Sequence, residues 1–338
     1  MSITSKQLAE LAGVSRGTVD RALNHRGGVR PSVQQRIEEL ARKYNYRPNR
    51  AGKALVMRDT LNIGIIINSV GNPFFDEVKR GLEAAKADYS DFSINLNWHE
   101  EKGYDVERQL KQIEDISEMS GTIITPINHP DIAERLNHII QGKKHPVITL
   151  NNDINNCARF AYVGCNYFQS GQTAGQIMGL LTNGNARILA VTGSKKVLGH
   201  NQRLEGFIGV LKSDYPKTRI AGIIENNDDD DRSAYEVARA IAGDSSIDAL
   251  YFCAGGVTGG VYAAVSQCRK KPVIVTCDLT EGIQKLIREG LVQATVDQQP
   301  YWQGYTSMKV LLDYLLFHVV PESDLMYARN EIRVKYNI

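Results

Sequence analysis

The chain has 338 residues, of which 42% are apolar and 23% are charged, and this composition is typical of a globular protein with two or three domains. No apolar run approaches the ~20 residues that cross a bilayer, and no basic and apolar leader is present, so we expect neither membrane insertion nor secretion. Five cysteines without a C-x-x-C pair predict reduced thiols. Together these features predict a cytoplasmic location.

The net charge of +2 conceals a basic N-terminal segment. Residues 1–58 contain 12 basic and 4 acidic residues, a net charge of +8, whereas the remaining 280 residues carry a net charge of −6. A cationic segment attached to an acidic body is the charge distribution expected when one end of a protein lies on a phosphate backbone. Nucleic acid is therefore a candidate partner.

The first predicted element in chain order is a pair of short helices over residues 4–24. Their apolar stripe breaks at Gly13, which predicts a helix-turn-helix, and it consists of Leu8, Leu11, Val14, Val19, Ala22 and Leu23. Thr4 and Gln7 can form a capping box at the first helix, and Ser15 can cap the second.

The second of these helices has the side chains of a DNA-recognition helix. Short or hydrogen-bonding groups that can reach base edges and phosphates lie off its apolar stripe: Arg16, Gly17, Thr18, Asp20, Arg21 and Asn24. Amphipathic helices around a glycine turn also occur in proteins that bind no DNA. The basic charge of the surrounding segment favours DNA recognition over that alternative.

A third helix and a linker complete the N-terminal region. The helix is expected to start near Ser32, with Pro31 before it and Gln35 completing a second capping box, and to stop at residues 46–48. The basic segment that follows is too short to form a stable helix alone in water. We therefore predict a head over 1–47 and a hinge or linker over 48–58.

The pattern T-x-x-x-L-A-x-x-A-G-V-S-x-x-T-V-x-R-x-L-N, followed by Y-x-P-N-R-x-x-x-x-L, resembles the lactose-repressor (LacI) family of bacterial transcription regulators. The resemblance implies that the linker forms a hinge helix on DNA and inserts Leu55 into the minor groove, where an apolar wedge bends the duplex. The alternative is that Leu55 packs at the start of a domain. The remaining DNA contacts that we predict are Thr4, Ser15, Arg30, Asn49, Arg50 and Lys53.

Two residues depart from the family pattern. Asp20 stands where the family usually has a small hydroxyl residue facing DNA, so the operator sequence does not follow from the resemblance. Gly52 lies inside the expected hinge helix, where glycine costs roughly 1 kcal/mol relative to alanine. We therefore expect that the hinge helix forms less readily than one without this glycine.

From residue 61 onward, short apolar runs alternate with amphipathic segments, which predicts an α/β fold with parallel sheets. There are too many runs for one sheet of ordinary width, so two doubly wound lobes are expected. This part resembles type I periplasmic sugar-binding proteins, the ribose-binding protein above all. The expected effector domain spans 59–338, with lobe 1 at about 59–158 and 292–320, lobe 2 at about 159–290 and 321–338, and chain crossings near 157–160, 289–291 and 319–323.

Ligands of open α/β sheets bind beyond the carboxyl ends of the strands. Asn72, Phe74 and Phe75 follow the first apolar run and match the sugar-binding pattern N-P-F-F, in which the amide holds a hydroxyl group and the rings stack on the sugar. The alternative is a helix started by proline with two core phenylalanines. We predict that Asn72 and at least one of the rings bind the effector.

The other predicted effector residues come from the resemblance to ribose-type proteins. Arg203, Asp278 and Gln298 match residues that hold sugar hydroxyls, although Arg203 could also be a surface arginine at a helix start. The sequence departs from the ribose-type pattern at several positions. It has the neutral amides Asn151 and Asn152, Gly255 on one side of the pocket, and Asp230 in place of an aromatic ring. A run of acidic residues such as 228–231 is most often a solvated loop. His99 and His200 are candidate rim groups, although a lone histidine is more often structural or exposed.

Known motifs of catalysis are missing from the sequence, since it has no GK[ST] phosphate loop, H-E-x-x-H or G-x-S-x-G, and its glycines at 255–260 do not follow G-x-G-x-x-G. We expect no enzyme, no cofactor and no metal. The predicted function is a homodimeric repressor of a carbohydrate-utilisation operon, controlled by a sugar or polyol between the lobes. The alternatives are a solute-binding receptor for sugar transport, a nucleotide-binding enzyme, or a regulator that senses an amine or purine-like ligand.

Overall fold

The structure, a computed structural model, describes residues 3–23, 27–44, 46, 59–67 and 70–338. The expected hinge over 48–58 lies outside these residues. So do five of the predicted DNA contacts, namely Asn24, Asn49, Arg50, Lys53 and Leu55. Their roles stay predictions.

The N-terminal head contains three helices, α1 (Ser5–Ala12), α2 (Arg16–Leu23) and α3 (Pro31–Lys43). The predicted capping box is present, because Thr4 accepts a hydrogen bond from the Gln7 amide while the Gln7 side chain accepts one from the Thr4 amide. Gly13 ends α1 with a φ of 65°, a left-handed conformation that glycine adopts without strain. The buried apolar side chains of the head form a core of their own: Leu8, Ala9, Ala12, Val19, Ala22 and Ile37.

Two predicted details of the head are wrong. Leu11 is exposed, because the buried face of α1 runs through the small residues Ala9 and Ala12 instead. The capping box at Ser32 does not form, since α3 already starts at Pro31 with Arg30 in the cap position and without a side-chain cap. Proline favours the first helical position because its φ is fixed there and no amide is left unpaired.

The strands of the described effector region form two sheets of six. They are β1 (Leu61–Ile67), β2 (Ile94–Glu100), β3 (Gly121–Ile124), β4 (Val147–Asn151), β5 (Ala161–Cys165), β6 (Arg187–Thr192), β7 (Arg219–Glu225), β8 (Ala249–Phe252), β9 (Val273–Cys277), β10 (Ala294–Asp297), β11 (Leu325–Ala328) and β12 (Glu331–Arg333). The first sheet has the order β11-β5-β4-β3-β1-β2 and the second the order β12-β10-β9-β8-β6-β7. All pairings are parallel except that of β12 with β10, which confirms the predicted doubly wound parallel lobes.

Helices cover both faces of each sheet. They are α4 (Phe74–Ala87), α5 (Val106–Asp115), α6 (Pro130–Lys143), α7 (Tyr167–Leu181), α8 (Leu198–Asp214), α9 (Asp230–Gly243), α10 (Val257–Gln267), α11 (Glu281–Arg288) and α12 (Pro300–Phe317). In β1, Ile63, Ile65 and Ile67 belong to the core on one face of the first sheet, whereas Ile66 belongs to the core on the other. A strand buried on both faces has a continuous apolar run rather than an alternating one.

The chain crosses between the lobes at positions that differ from those predicted. Strand β5 belongs to the first sheet and β10 to the second, so the crossings follow residues 165 and 297 rather than 160 and 291. The third crossing falls between β11 and β12, because these two strands join different sheets. An apolar run predicts a buried strand, but it does not indicate which of two similar sheets the strand joins.

Candidate functional site

The loops after the strands of both sheets converge on a polar cavity between the lobes, which we call the inner chamber. Its free volume is about 30 Å³, which is room for about two water molecules. The chamber is lined by Asn72, Phe74, Phe75, Tyr104, Asn151, Asn152, Tyr167, His200, Arg203, Asp228, Ala254, Gly255, Asp278 and Gln298. The structure therefore brings together every predicted effector residue except Asp230.

Arg203 lies at the centre of the chamber and is only 2% exposed. Helices α7 and α8 pack closely beside it, since a Cβ atom on Gly171 would lie 2.0 Å from the Arg203 carbonyl oxygen. One nitrogen, Nη1, donates to the carbonyl oxygen of Cys253 at 3.0 Å, and the guanidinium lies over the Tyr167 ring, 4.6 Å from its centre.

The remaining guanidinium nitrogens of Arg203 are open to a ligand. Nε and Nη2 are buried and make no hydrogen bond within the described chain. Nη2 is 3.8 Å from Asp278 Oδ1, which is within reach of ionic attraction but too long for a hydrogen bond. Because a buried donor without a partner costs free energy, this edge of Arg203 favours a ligand that brings acceptor oxygens.

Side-chain amides connect the two lobes beside Arg203. Gln298 Nε2 donates to Asp278 Oδ1 at 2.7 Å, and Asn151 Nδ2 lies 3.5 Å from Gln298 Oε1. Asn152 Nδ2 donates to Asn151 Oδ1 at 3.0 Å, which leaves Asn152 Oδ1 buried without a partner. Burial raises the pKa of Asp278, while the positive charge of Arg203 opposes that rise. The chamber thus offers open donors on Arg203 and an open acceptor on Asn152.

The two phenylalanines of the N-P-F-F pattern fit both of their predicted interpretations. Phe74 and Phe75 are buried in the core of the first lobe, and they also line the chamber. Their rings pack edge to face with centres 5.2 Å apart. Asn72 Oδ1 accepts the amide of Phe74 at 3.1 Å, so this side chain also fixes the start of α4.

Three residues of the chamber have a left-handed backbone at the carboxyl end of a strand or in the turn after it. The φ angles are 63° at Asn151, 58° at Asp228 and 71° at Asp278. Asparagine and aspartate tolerate this conformation better than other side chains, but it is still sparsely populated. Such strain is concentrated at functional sites, where the surrounding structure holds it in place.

Asp230 does not line the inner chamber, because the turn brings Asp228 there instead, and the predicted role of Asp230 in effector binding stays a prediction. Asp230 starts α9, and its Oδ1 accepts the amide of Gly259 at 3.1 Å. Asp228 Oδ1 accepts the amide of Gly255 at 2.8 Å, and a Cβ atom on Gly255 would lie 3.1 Å from the Asp228 side chain. Gly255 therefore makes room for the Asp228 carboxylate. The run of four aspartates gave no indication of which one points inward.

Sequence reasoning missed Tyr104 and Tyr167, and His200 was assigned only to the rim. Tyr104 follows β2 and Tyr167 follows β5, so both stand after a strand, which is the signal that could have identified them. Burial lowers the pKa of His200, an effect that the nearby charge of Asp228 opposes. The other candidate rim group, His99, lies within β2 and does not line the chamber.

A second cavity of about 240 Å³, which we call the outer chamber, lies next to the inner one and shares Asn72, Tyr104 and Asp228 with it. Its other lining residues are Val70, Gly71, Lys102, Gly103, Asn227, Asp229, Asp230 and Asp231. Four aspartates face a single lysine here, so the mouth of the cleft is acidic.

The predicted DNA contacts within the described head lie at its surface. Arg16, Gly17, Asp20 and Arg21 are exposed on α2, and Arg30 is exposed before α3. Other head contacts are held by the local structure. Ser15 Oγ caps α2 by accepting the Thr18 amide at 3.1 Å, and the Thr18 hydroxyl accepts Arg21 Nη2 at 3.3 Å. This network fixes part of the face that α2 would present to DNA.

Within the described ranges, no group of histidine, cysteine and acidic side chains is arranged to hold a metal ion. In the same part of the chain, every helix is too short or too polar to cross a membrane. All five cysteines are free thiols, and Cys165, Cys253 and Cys277 are buried.

Solved structures with a similar fold are sugar-binding proteins. GanP, a glucose-galactose binding protein from Geobacillus stearothermophilus, has a TM-score of 0.76 at 20% identity, covering 83% of this chain and 99% of that one. An ABC transporter solute binding protein from Agrobacterium vitis with bound D-fucose has a TM-score of 0.76 at 16% identity, covering 82% and 96% of the two chains. At these identities the likeness shows the fold of the two lobes.

Sequence relatives extend the likeness to the head. Catabolite control protein A of Priestia megaterium is 25% identical over 333 residues, which cover 96% of each chain. The "Probable HTH-type transcriptional repressor ExuR" of Bacillus subtilis (strain 168) is 28% identical over 213 residues, covering 62% of this chain and 60% of that protein. Family models match residues 4–49, as "Bacterial regulatory proteins, lacI family", and residues 63–317, as "Periplasmic binding protein domain". The chain therefore belongs to the lacI family of bacterial regulatory proteins and joins that family's head to a periplasmic-binding-protein domain.

Proposed function

We propose that the protein is a sequence-specific repressor of carbohydrate-utilisation genes whose affinity for operator DNA is controlled by a sugar or polyol bound in the inner chamber. Membership of the lacI family and the exposed basic face of α2 support the DNA-binding half of this proposal. The fold of the two lobes, which is that of sugar-binding proteins, supports the effector half.

The observation that carries the effector proposal is the pair of open groups in the inner chamber. Arg203 Nε and Nη2 are buried donors without a hydrogen-bond partner, although Nη2 lies within ionic reach of Asp278, and Asn152 Oδ1 is a buried acceptor without a hydrogen-bond partner. Adjacent hydroxyl groups of a polyol can accept from the first and donate to the second, because each hydroxyl is both donor and acceptor. The planar edge of a guanidinium suits two neighbouring oxygens.

Binding at this place would bias the arrangement of the lobes, since the lining residues come from both sheets. We propose a homodimer in which two heads bind two half-sites of one operator and Leu55 of each hinge enters the minor groove. An effector shifts DNA affinity only by its differential affinity for the lobe arrangements, with a coupling of typically ~1–3 kcal/mol. The proposal includes a cytoplasmic location and no catalytic step.

An amine-bearing ligand is a second candidate, and one observation favours it. The Asp228 carboxylate lies in the inner chamber and also faces the acidic outer chamber. A positive group could bind there, whereas the neutral amides Asn151 and Asn152 favour uncharged hydroxyls on the other side. A solute-binding receptor would explain the lobes but not the head.

The proposal is tested with the full-length protein in two measurements. A thermal-shift panel of sugars, polyols, sugar amines and nucleobases should contain a stabilising ligand, since one at a hundred times its dissociation constant adds about 2.7 kcal/mol. Fluorescence anisotropy with duplex DNA should show binding that weakens steeply with salt. DNA binding without any sugar response would reject the effector assignment, and the reverse would support the receptor.

The hinge is tested by Leu55→Ala, with a duplex selected by the protein from a random pool. If Leu55 is a wedge, its loss should weaken binding to the selected duplex far more than binding to unselected DNA, because only the specific complex bends the centre of the site. An equal loss on both duplexes would assign Leu55 to packing.

A further inference from the structure

Tyr104 and Asp228 form a hydrogen bond across the cleft. Tyr104 lies on the loop after β2 in the first lobe and donates its hydroxyl hydrogen to Asp228 Oδ2 in the second. The other oxygen, Oδ1, accepts the amide of Gly255 within the second lobe. One oxygen of this carboxylate is therefore fixed by its own lobe, and the other is bound by a side chain that moves with the opposite lobe.

The Asp228 carboxylate is held in position by its surroundings. Its backbone has a φ of 58°, and its amide donates to Asn226 Oδ1 at 2.9 Å. A Cβ atom on Gly193 would lie 2.6 Å from Asp228 Oδ1, so the carboxylate fits against a glycine on the adjoining loop. Because Asp228 is fixed, the group that changes when the cleft opens is Tyr104.

We propose that Tyr104 is a specificity-determining residue that occupies an effector's place on Asp228, so that the effector binds by replacing the Tyr104 hydroxyl with a donor of its own. This inference rests on the effector site proposed above. Asn72, Tyr104 and Asp228 line both chambers. Movement of the Tyr104 side chain therefore joins the inner chamber, of about 30 Å³, to the outer chamber, of about 240 Å³. Displacement of Tyr104 thus frees both the acceptor and the room that a sugar ring requires.

The replaced bond defines the class of effector. A ligand hydroxyl or ammonium can donate to Asp228 Oδ2 as the Tyr104 hydroxyl does. A carboxylate or phosphate oxygen at the same place would meet the negative charge of Asp228 and of the neighbouring Asp229, which pairs with the exposed Lys102 at 3.0 Å. The ligand group that replaces the Tyr104 hydroxyl on Asp228 is therefore a neutral hydroxyl or an ammonium, and not a carboxylate or a phosphate.

Two other cross-lobe contacts near Tyr104 provide a comparison and a reporter. The exposed pair of Lys102 with Asp229 adds little to lobe closure, because exposed ion pairs are worth only ~0–1 kcal/mol. The amide of Asn128 in the first lobe donates to the carbonyl oxygen of Lys196 in the second at 3.1 Å. Hydrogen exchange at the Asn128 amide therefore measures separation of the lobes without any added label.

The first experiment needs no effector. In the full-length protein, Tyr104→Phe removes only the hydroxyl, and exchange at the Asn128 amide should become about tenfold faster, as expected for loss of a hydrogen bond to a charged group. The matched control is Tyr235→Phe on the exposed face of α9, which should leave the exchange rate unchanged. Should Tyr104→Phe fail to fold, Asp228→Asn weakens the same bond from the other side. An exchange rate within twofold of the parent chain overturns the inference.

The second experiment identifies the chemical class of the effector. The probes in a thermal-shift assay are glucose, glucosamine, glucuronate and glucose 6-phosphate. The four corresponding compounds of the galactose series are tested beside them. A neutral or amine-bearing member should stabilise the protein, and Tyr104→Phe should bind it about tenfold more tightly, because the competing hydroxyl bond is gone. Unchanged or weaker binding of the stabilising probe by Tyr104→Phe overturns the assignment. If no probe binds, the proposed sugar function is in question, while the exchange experiment still decides whether Tyr104 holds the lobes.

Discussion

The guanidinium of Arg203 lies over the ring of Tyr167, 4.6 Å from the ring centre. This attraction, the burial of the side chain and the hydrogen bond from Nη1 to the Cys253 carbonyl oxygen hold the guanidinium in place, so its open Nε and Nη2 edge has one direction in the chamber. Orientation of this kind lowers the entropy cost of binding, because the side chain is already immobile before the ligand arrives.

Replacement of Arg203 by lysine tests whether the paired donors of the guanidinium, rather than its charge alone, bind the sugar. Arg203→Lys keeps a positive charge near Asp278, so the buried carboxylate keeps a partner, but the paired donors are lost. We expect a loss of at least about tenfold in affinity for the stabilising sugar, from two missing hydrogen bonds, and unchanged DNA binding without sugar. Isothermal titration checks the first result and anisotropy the second. The exposed Arg288→Lys is the control, and an unchanged sugar affinity in Arg203→Lys would remove this residue from the site.

Substitution by alanine should change the stability of the protein in opposite directions at two glycines on α8. A Cβ atom on Gly206 would lie 2.1 Å from the carbonyl oxygen of Phe168 on α7, whereas one on Gly209 would meet nothing within 4 Å. Gly206→Ala should therefore destabilise the protein by about 1–3 kcal/mol through overpacking. Gly209→Ala should stabilise it by about 0.5–1 kcal/mol, because alanine favours a helix. Urea unfolding measures both, and equal effects would argue against close contact of α7 and α8.

The exposed arginines of α2 should set part of the salt dependence of DNA binding. Arg21→Ala should reduce the slope of log affinity against log salt by about 0.9 if its guanidinium contacts one phosphate. The same substitution at Arg288, which is exposed on α11 in the second lobe, should leave the slope unchanged. Anisotropy at four salt concentrations with unselected duplex DNA measures both slopes. Identical slopes for the Arg21 variant and the parent chain would place this residue outside the interface.

Acid should destabilise the protein through its buried histidines. Burial lowers the pKa of His200 and of His145 below the ordinary value of 6.5. Between the lowered pKa and 6.5 the unfolded chain binds a proton that the folded chain does not, so stability falls as the pH decreases through this interval.

The pH effect is measured by urea unfolding at several values below pH 7. His200→Asn keeps an acceptor for the Ser194 amide, which His200 Nδ1 accepts at 3.2 Å, and should flatten the pH dependence in part, with His145 supplying the remainder. His138→Asn changes an exposed histidine and should not alter the slope. A slope that is the same in all three chains would contradict the assignment.

The sequence predicts most of the scaffold because the physical signals there are local. The run 61–67 is apolar except at Asn62 and Gly64, which is close to the pattern of a strand buried on both faces, and β1 occupies the same residues. Two short strands and one helix were not predicted. β11 and β12 have four and three residues at the sheet edges, and α10 begins V-T-G-G, where two glycines hide the helical pattern.

Only some of the effector residues could be predicted from the sequence. Those that directly follow a strand, such as Asn152 and Asp278, could be placed because parallel strands bring their carboxyl ends to one edge. Asp228 could not be distinguished from Asp230, because the choice depends on two left-handed residues, 227 and 228, in the turn. The position of Tyr104 after β2 could have placed it at the cleft, but its hydrogen bond to Asp228 of the other lobe has no signal in the local sequence.

The pairing of the C-terminal strands has a consequence for synthesis of the chain. β11 completes the edge of the first sheet beside β5, and β12 completes the edge of the second beside β10. Neither lobe can be finished until residues 325–333 have left the ribosome, whereas the three helices of the head are available after residue 43. The nascent polypeptide therefore acquires its head long before its sensor, and a product cut short before β11 would carry the head beside two unfinished lobes.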